Sequence, residues 1–100
     1  MSPLDRHAER LDAIRRAVLD GDGVTDRKLR AAAAGGGPAP EPLSTYVTKV
    51  RDASYRIGDG DIALLKAAGL GDEEIFELTV AAALGAALHR FEAGLRAVAP

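Results

Sequence analysis

The chain has few side chains equipped for chemistry, and there is no cysteine among its 100 residues. Disulfides, thiolate catalysis and cysteine metal sites are therefore excluded. His7 and His89 are the two histidines. His7 sits among charged residues and reads as solvated. His89, beside Arg90, would need a partner to act as a base or ligand, and none is evident nearby, so it reads as a surface or interface residue. Ser54 would serve as a nucleophile only if a base and an orienting group were brought to it; a helix-end serine is the simpler reading. Asp20-Gly21-Asp22-Gly23 and Asp59-Gly60-Asp61 have the look of calcium loops. Counted from Asp20, however, the fifth and twelfth positions are Val24 and Ala31, which cannot supply the required oxygens. Turn and cap chemistry accounts for both, and no metal or cofactor is expected. Gly35-Gly36-Gly37 lacks the Lys-Ser or Lys-Thr of a phosphate loop.

The elements that must position these groups are helices. The hydrophobic fraction is 47% but the aromatic fraction only 4%, so cohesion has to come from close packing of small residues. Leu4, Leu11, Ile14 and Val18 repeat at helical spacing over 3–20, with Asp12 and Arg16 as an i,i+4 pair. Thr25 is positioned to cap a short helix ending near Ala34. Gly35–Pro42 reads as a Gly/Pro linker. A third helix starts at Pro42 with Leu43, Tyr46, Val47 and Val50 as its stripe. Asp59 is placed to cap a fourth, carrying Ile62, Leu64 and Leu65 and closed by Gly69. The last runs from about Asp72 to Val98, its acidic first turn matching the helix dipole. Ile75, Leu78, Ala82 and Ala86 line one face of it. Phe76, Val80, Ala83, Leu84, Ala87, Leu88, Phe91, Leu95 and Val98 line another. From Val80 to Leu88 no polar side chain interrupts, so this helix is expected to be buried on more than one side. No alternating strand pattern occurs. The expected architecture is one all-α bundle of about five helices with a long buried C-terminal helix. Its parts are N-terminal helices (1–34), a linker (35–42) and a helical core (43–100).

The segment Asp61–Ile75, DIALLKAAGLGDEEI, followed by Glu77, Gly85 and Leu95, resembles the helix–turn–helix signature of the AhpD-like and carboxymuconolactone decarboxylase superfamily. Ala67, Gly69, Glu73, Glu74, Ile75, Glu77 and Gly85 carry the match. The resemblance implies an AhpD-like helical bundle, and relatives of this kind form trimers and hexamers. In peroxidase members a C-x-x-C-x-x-x-H motif precedes the segment. Counting back from Asp61 puts its cysteines at Ser54 and Ile57 and its histidine at Asp61 itself. With all three positions changed, the thiol cycle has no nucleophile and no resolving group, and thiol peroxidase activity is expected to be absent. If a pocket persists at these positions, the resemblance places Tyr46, Arg51, Tyr55 and Arg56 around it, where an arginine would suit a carboxylate.

Two functional readings follow. In the first, the chain is a non-catalytic partner-binding or scaffold subunit that self-associates through Val80, Leu84, Ala87, Leu88 and Phe91. In the second, it is a decarboxylase-like enzyme using Asp61, His89 or Tyr55 in acid–base chemistry on a small carboxylated substrate. Net charge is −2, with both signs interspersed. An apparent DNA-binding helix-turn-helix around Leu65, Gly69 and Ile75 would present Asp72, Glu73, Glu74 and Glu77 to phosphates, so no nucleic-acid partner is expected. The charged start Met1–Arg10 and the short apolar run give no reason to expect a signal peptide or membrane span. A cytoplasmic homo-oligomer, open to a protein partner, is the resulting expectation.

Overall fold

The computed structural model describes residues 2–98, and among these there are five α-helices and no strand. Helix α1 spans Pro3–Asp20. It begins as the polar start dictates: Ser2 accepts from the Asp5 amide at 3.2 Å while its own amide donates to the Asp5 carboxylate at 3.1 Å, with proline in the first turn. Asp12 pairs with Arg16 at 2.8 Å and also with Arg15. Leu11, Val18 and Leu19 are half-buried, but Ile14 is 48% exposed and lies off the packed stripe; the Leu4 side chain lies outside the described residues.

Helix α2 is only Arg27–Ala31, and its cap is Asp26 rather than Thr25. The Asp26 carboxylate accepts from the Lys28 amide at 2.7 Å, whereas the Thr25 hydroxyl is drawn to Glu77. The chain continues as one wide helical turn over Ala32–Gly36. Ala32 and Ala33 in this turn are buried against the body, whereas Gly35 and Gly37 that follow are exposed. Helix α3, Leu43–Asp52, buries Leu43, Tyr46 and Val47, with Val50 packed beside them. A single 3-10 turn at Ser54–Arg56 leads to α4, Asp59–Ala67. Here Gly58, not Asp59, is the N-cap, and Asp61 reaches back to its amide at 2.9 Å. Leu65 is fully buried while Leu64 faces out. Gly69 ends the turn at φ 98°, the left-handed conformation expected of it.

Helix α5, Asp72–Val98, is the axis on which the rest is laid. At about 1.5 Å rise per residue, its 27 residues account for most of the molecule's 48 Å length. Its buried residues, Ile75, Leu78, Ala81 and Ala82, all fall in the first half. With Leu43, Tyr46, Val47, Leu65 and Ala33 they form the core. Beyond Ala82 the cover thins: Leu84, Leu88, Phe91 and Leu95 are half-buried, and Ala83 and Ala87 are exposed. This second half is flanked by α1, where Leu11 and Arg15 border a shallow groove with Leu88, Phe91 and Leu95. No helix among the described residues is long and apolar enough to cross a membrane.

The backbone of α5 comes close to the carbonyl of Ala34 at Gly85. A β-carbon at position 85 would overlap the Ala34 carbonyl oxygen and carbon, which are backbone and cannot swing aside. Gly94, in the same helix, has open space where a β-carbon would go. The two glycines therefore respond oppositely to alanine. Gly85→Ala should lower stability by roughly 1–3 kcal/mol through overpacking. Gly94→Ala should raise it by about 0.5–1 kcal/mol through helix propensity. Urea unfolding followed by circular dichroism measures both, and equal responses would show that the close approach does not exist.

Candidate functional site

Asp61, one of the three acid–base candidates, is fully engaged in structure. Lys49 Nζ lies 2.6 Å from its Oδ1, and the Gly58 amide donates to Oδ2 at 2.9 Å. The side chains of the pair are 32% and 15% exposed. The lysine hydrogen bond, then the Gly58 amide, hold the Asp61 carboxyl below its ordinary value of 3.8 against the opposing effect of burial. Asp61 thus closes the N-terminus of α4 and ties it to α3, with both oxygens occupied.

The neighbouring positions do not gather around it. Ser54 and Tyr55 lie in the 3-10 turn, Ser54 exposed and Tyr55 87% exposed. Arg56 is exposed as well, and Ile57 packs against the core as an ordinary hydrophobe. Tyr46 is buried under α5, its hydroxyl 2.6 Å from the Thr79 hydroxyl, which itself donates to the Ile75 carbonyl at 2.7 Å. It serves as a satisfied core tyrosine. Arg51 and His89 do come together, lining an open cleft of about 350 Å³ with Ala34, Gly35, Asp52, Gly85, Ala86 and Arg90. Neither Asp61 nor Tyr55 lines this cleft. The three acid–base candidates thus do not line this cleft together, and of the proposed pocket residues Arg51 lines it while Tyr46, Tyr55 and Arg56 do not. Among the described residues no group of three or more histidine or acidic side chains is arranged to hold a metal.

The most elaborate polar constellation lies elsewhere. Glu77, one turn into α5, accepts from the Val24 amide at 2.8 and 2.9 Å, from the Thr25 amide at 3.1 Å and from the Thr25 hydroxyl at 3.2 Å. Desolvation works to raise its pKa, but these donors and the charge of Arg30 outweigh it and hold the carboxyl below its ordinary 4.5. Arg30 is 4% exposed and donates to the Val18 carbonyl at 2.8 Å. This cluster ties the α1–α2 loop to α5. It was not legible in the sequence, because Glu77 and Val24 are 53 residues apart with no local signature. Likewise nothing local pairs Lys49 with Asp61, or aims Arg90 at the Arg51 carbonyl, to which it donates at 2.8 Å.

The Oδ positions of Asp61 and the Glu77 carboxylate are thus binding and stapling groups within the fold. No family model matches the chain, and no curated protein or solved structure matches it either.

Both depressed carboxyls give stability a defined pH dependence. A carboxyl whose folded pKa lies below its unfolded one binds more protons when unfolded. Its contribution is complete above the ordinary value and disappears as pH falls through the folded value. Asp61→Asn should therefore be less stable than wild type at pH 7, and the gap should narrow as the pH is lowered from 5 towards 2. Thermal melts across that range measure it; a gap that stays constant would mean that the ionised Asp61–Lys49 pair contributes nothing.

Proposed function

We propose that the chain is a non-catalytic member of the AhpD-like superfamily, a cytoplasmic scaffold subunit that assembles with copies of itself and presents a surface to a protein partner. The observation that carries this reading is the state of Asp61. At the position where the family's chemistry needs a free histidine, this chain has a carboxylate with one oxygen on Lys49 and the other on the Gly58 amide. A general base must be free to take a proton from substrate, and Asp61 is held by donors on both oxygens. Ser54 and Ile57 at the other two positions have no thiol to offer.

The assembly part of the reading rests on α5. Phe76 and Ala83 and Ala87, spaced at seven and four residues, form an exposed apolar stripe with half-buried Val80 between them. Small residues on such a stripe allow close backbone approach by a second helix. Leu84, Leu88 and Phe91 flank it, half-covered by α1 within the chain.

Native mass spectrometry under mild conditions tests this directly, with the double variant Ala83→Glu/Ala87→Glu as the control. Both positions are exposed in the single chain, and glutamate is a good helix former, so the variant should fold. Wild type is expected as a homo-oligomer and the variant as a monomer. A monomeric wild type, or a variant that assembles unchanged, would remove α5 as the assembly surface.

A further inference from the structure

We infer that the cleft between the end of α3 and the middle of α5 is a binding site for a small oxyanion, held between the guanidinium groups of Arg51 and Arg90. This goes beyond the scaffold reading and does not depend on it. Two permanent cations and one imidazole face the same open space: Arg51 from the last turn of α3, and His89 and Arg90 from α5. Their convergence is imposed by the backbone. One Arg90 N–H is committed to the Arg51 carbonyl at 2.8 Å, which fixes its head at the end of α3. Arg51 is half-buried, and its Nη1 lies 3.1 Å from where a β-carbon on Gly35 would stand. Gly35 has φ 100°, a conformation that strains any other residue, and its bare backbone leaves room for the guanidinium.

Two guanidiniums face a single carboxylate on the lining of this cleft. The ion pairs among the described residues include neither Arg51 nor Arg90. Asp52 is the one acid on the lining, exposed and in none of those pairs. Two guanidiniums facing one open cleft repel each other, and an anion between them offsets that repulsion while accepting hydrogen bonds from their unused N–H groups. Each guanidinium presents a planar fork matched to two oxygens of one group, a geometry that carboxylate and phosphate share. The floor, Ala34, Gly35, Gly85 and Ala86, has no side chain beyond a methyl. A volume of about 350 Å³ lies at the small end of ligand sites and suits an ion or a short acid.

The test is titration of the full chain with inorganic phosphate and, separately, acetate, followed by backbone amide chemical shifts at low ionic strength. Saturable shifts at Ala34, Gly35, Gly85 and Ala86 are expected with at least one of the two, and which one distinguishes a phosphate site from a carboxylate site. Arg51→Gln should weaken that binding by roughly tenfold or more, the usual effect of losing a charged hydrogen-bond donor. Arg51→Lys, which keeps the charge but loses the fork, should weaken it as well and guards against a misfolded glutamine variant. Arg56→Gln removes the same charge from an exposed position outside the cleft and should leave binding unchanged. Absence of saturable shifts with both anions, or equal weakening by Arg56→Gln, would overturn the site.

Discussion

The close approach of the Ala34 carbonyl to Gly85 sets how the two halves of this small protein meet. Because position 85 has no side chain, the helical turn at 32–36 can lie directly on α5, bringing buried Ala32 and Ala33 into the core. Eight residues earlier, about 12 Å along the helix, Glu77 gathers the amides of Val24 and Thr25. The N-terminal half is thus fastened to α5 at two points, one steric and one electrostatic. With both engaged, α1 is carried alongside the second half of α5, and Arg51 is brought over Gly35. In a chain with so few large side chains, such backbone-level fits take the place of a bulky core.

The residues that gave the sequence its family resemblance turn out to have architectural work in this chain. Gly69 adopts the left-handed turn, Glu74 accepts from the Gly71 amide at 3.0 Å, Glu77 holds the α1–α2 loop, and Gly85 admits the Ala34 carbonyl. Our proposal of a degenerate AhpD-like protein rests on the contrast between these fold-bearing positions and absent chemistry. The groups that would do the chemistry have the opposite character. Ser54 and Tyr55 are exposed on a short turn, and Asp61 is absorbed into the joint between α3 and α4.

What was legible in the sequence was local. The stripe Leu43–Tyr46–Val47, Gly69 and the acidic start at Asp72 each state their element within a few residues, and the helices follow them closely. The second helix was less legible because Thr25 and Asp26 are both good caps; the choice was made by Glu77, 52 residues away. Ile14 fits the period of α1 yet is 48% exposed, whereas Leu11, Val18 and Leu19 are half-buried. The basic cleft was half visible: Arg51 and His89 were candidates for separate reasons, but their meeting depends on Gly35 and Gly85, whose proximity no spacing rule encodes.

Residues 24–34, fastened to α5 by Glu77 and by the Ala34–Gly85 contact, are expected to belong to the same cooperative unit as that helix. Native-state hydrogen exchange measures this most directly. The amides of Val24 and Thr25, held by Glu77, and those of 30–34 should be protected and should open together with Ile75–Ala82 as denaturant is raised. Exchange of 24–34 at free-peptide rates while Ile75–Ala82 stays protected would contradict the account, leaving the N-terminal half as an appendage on a smaller core.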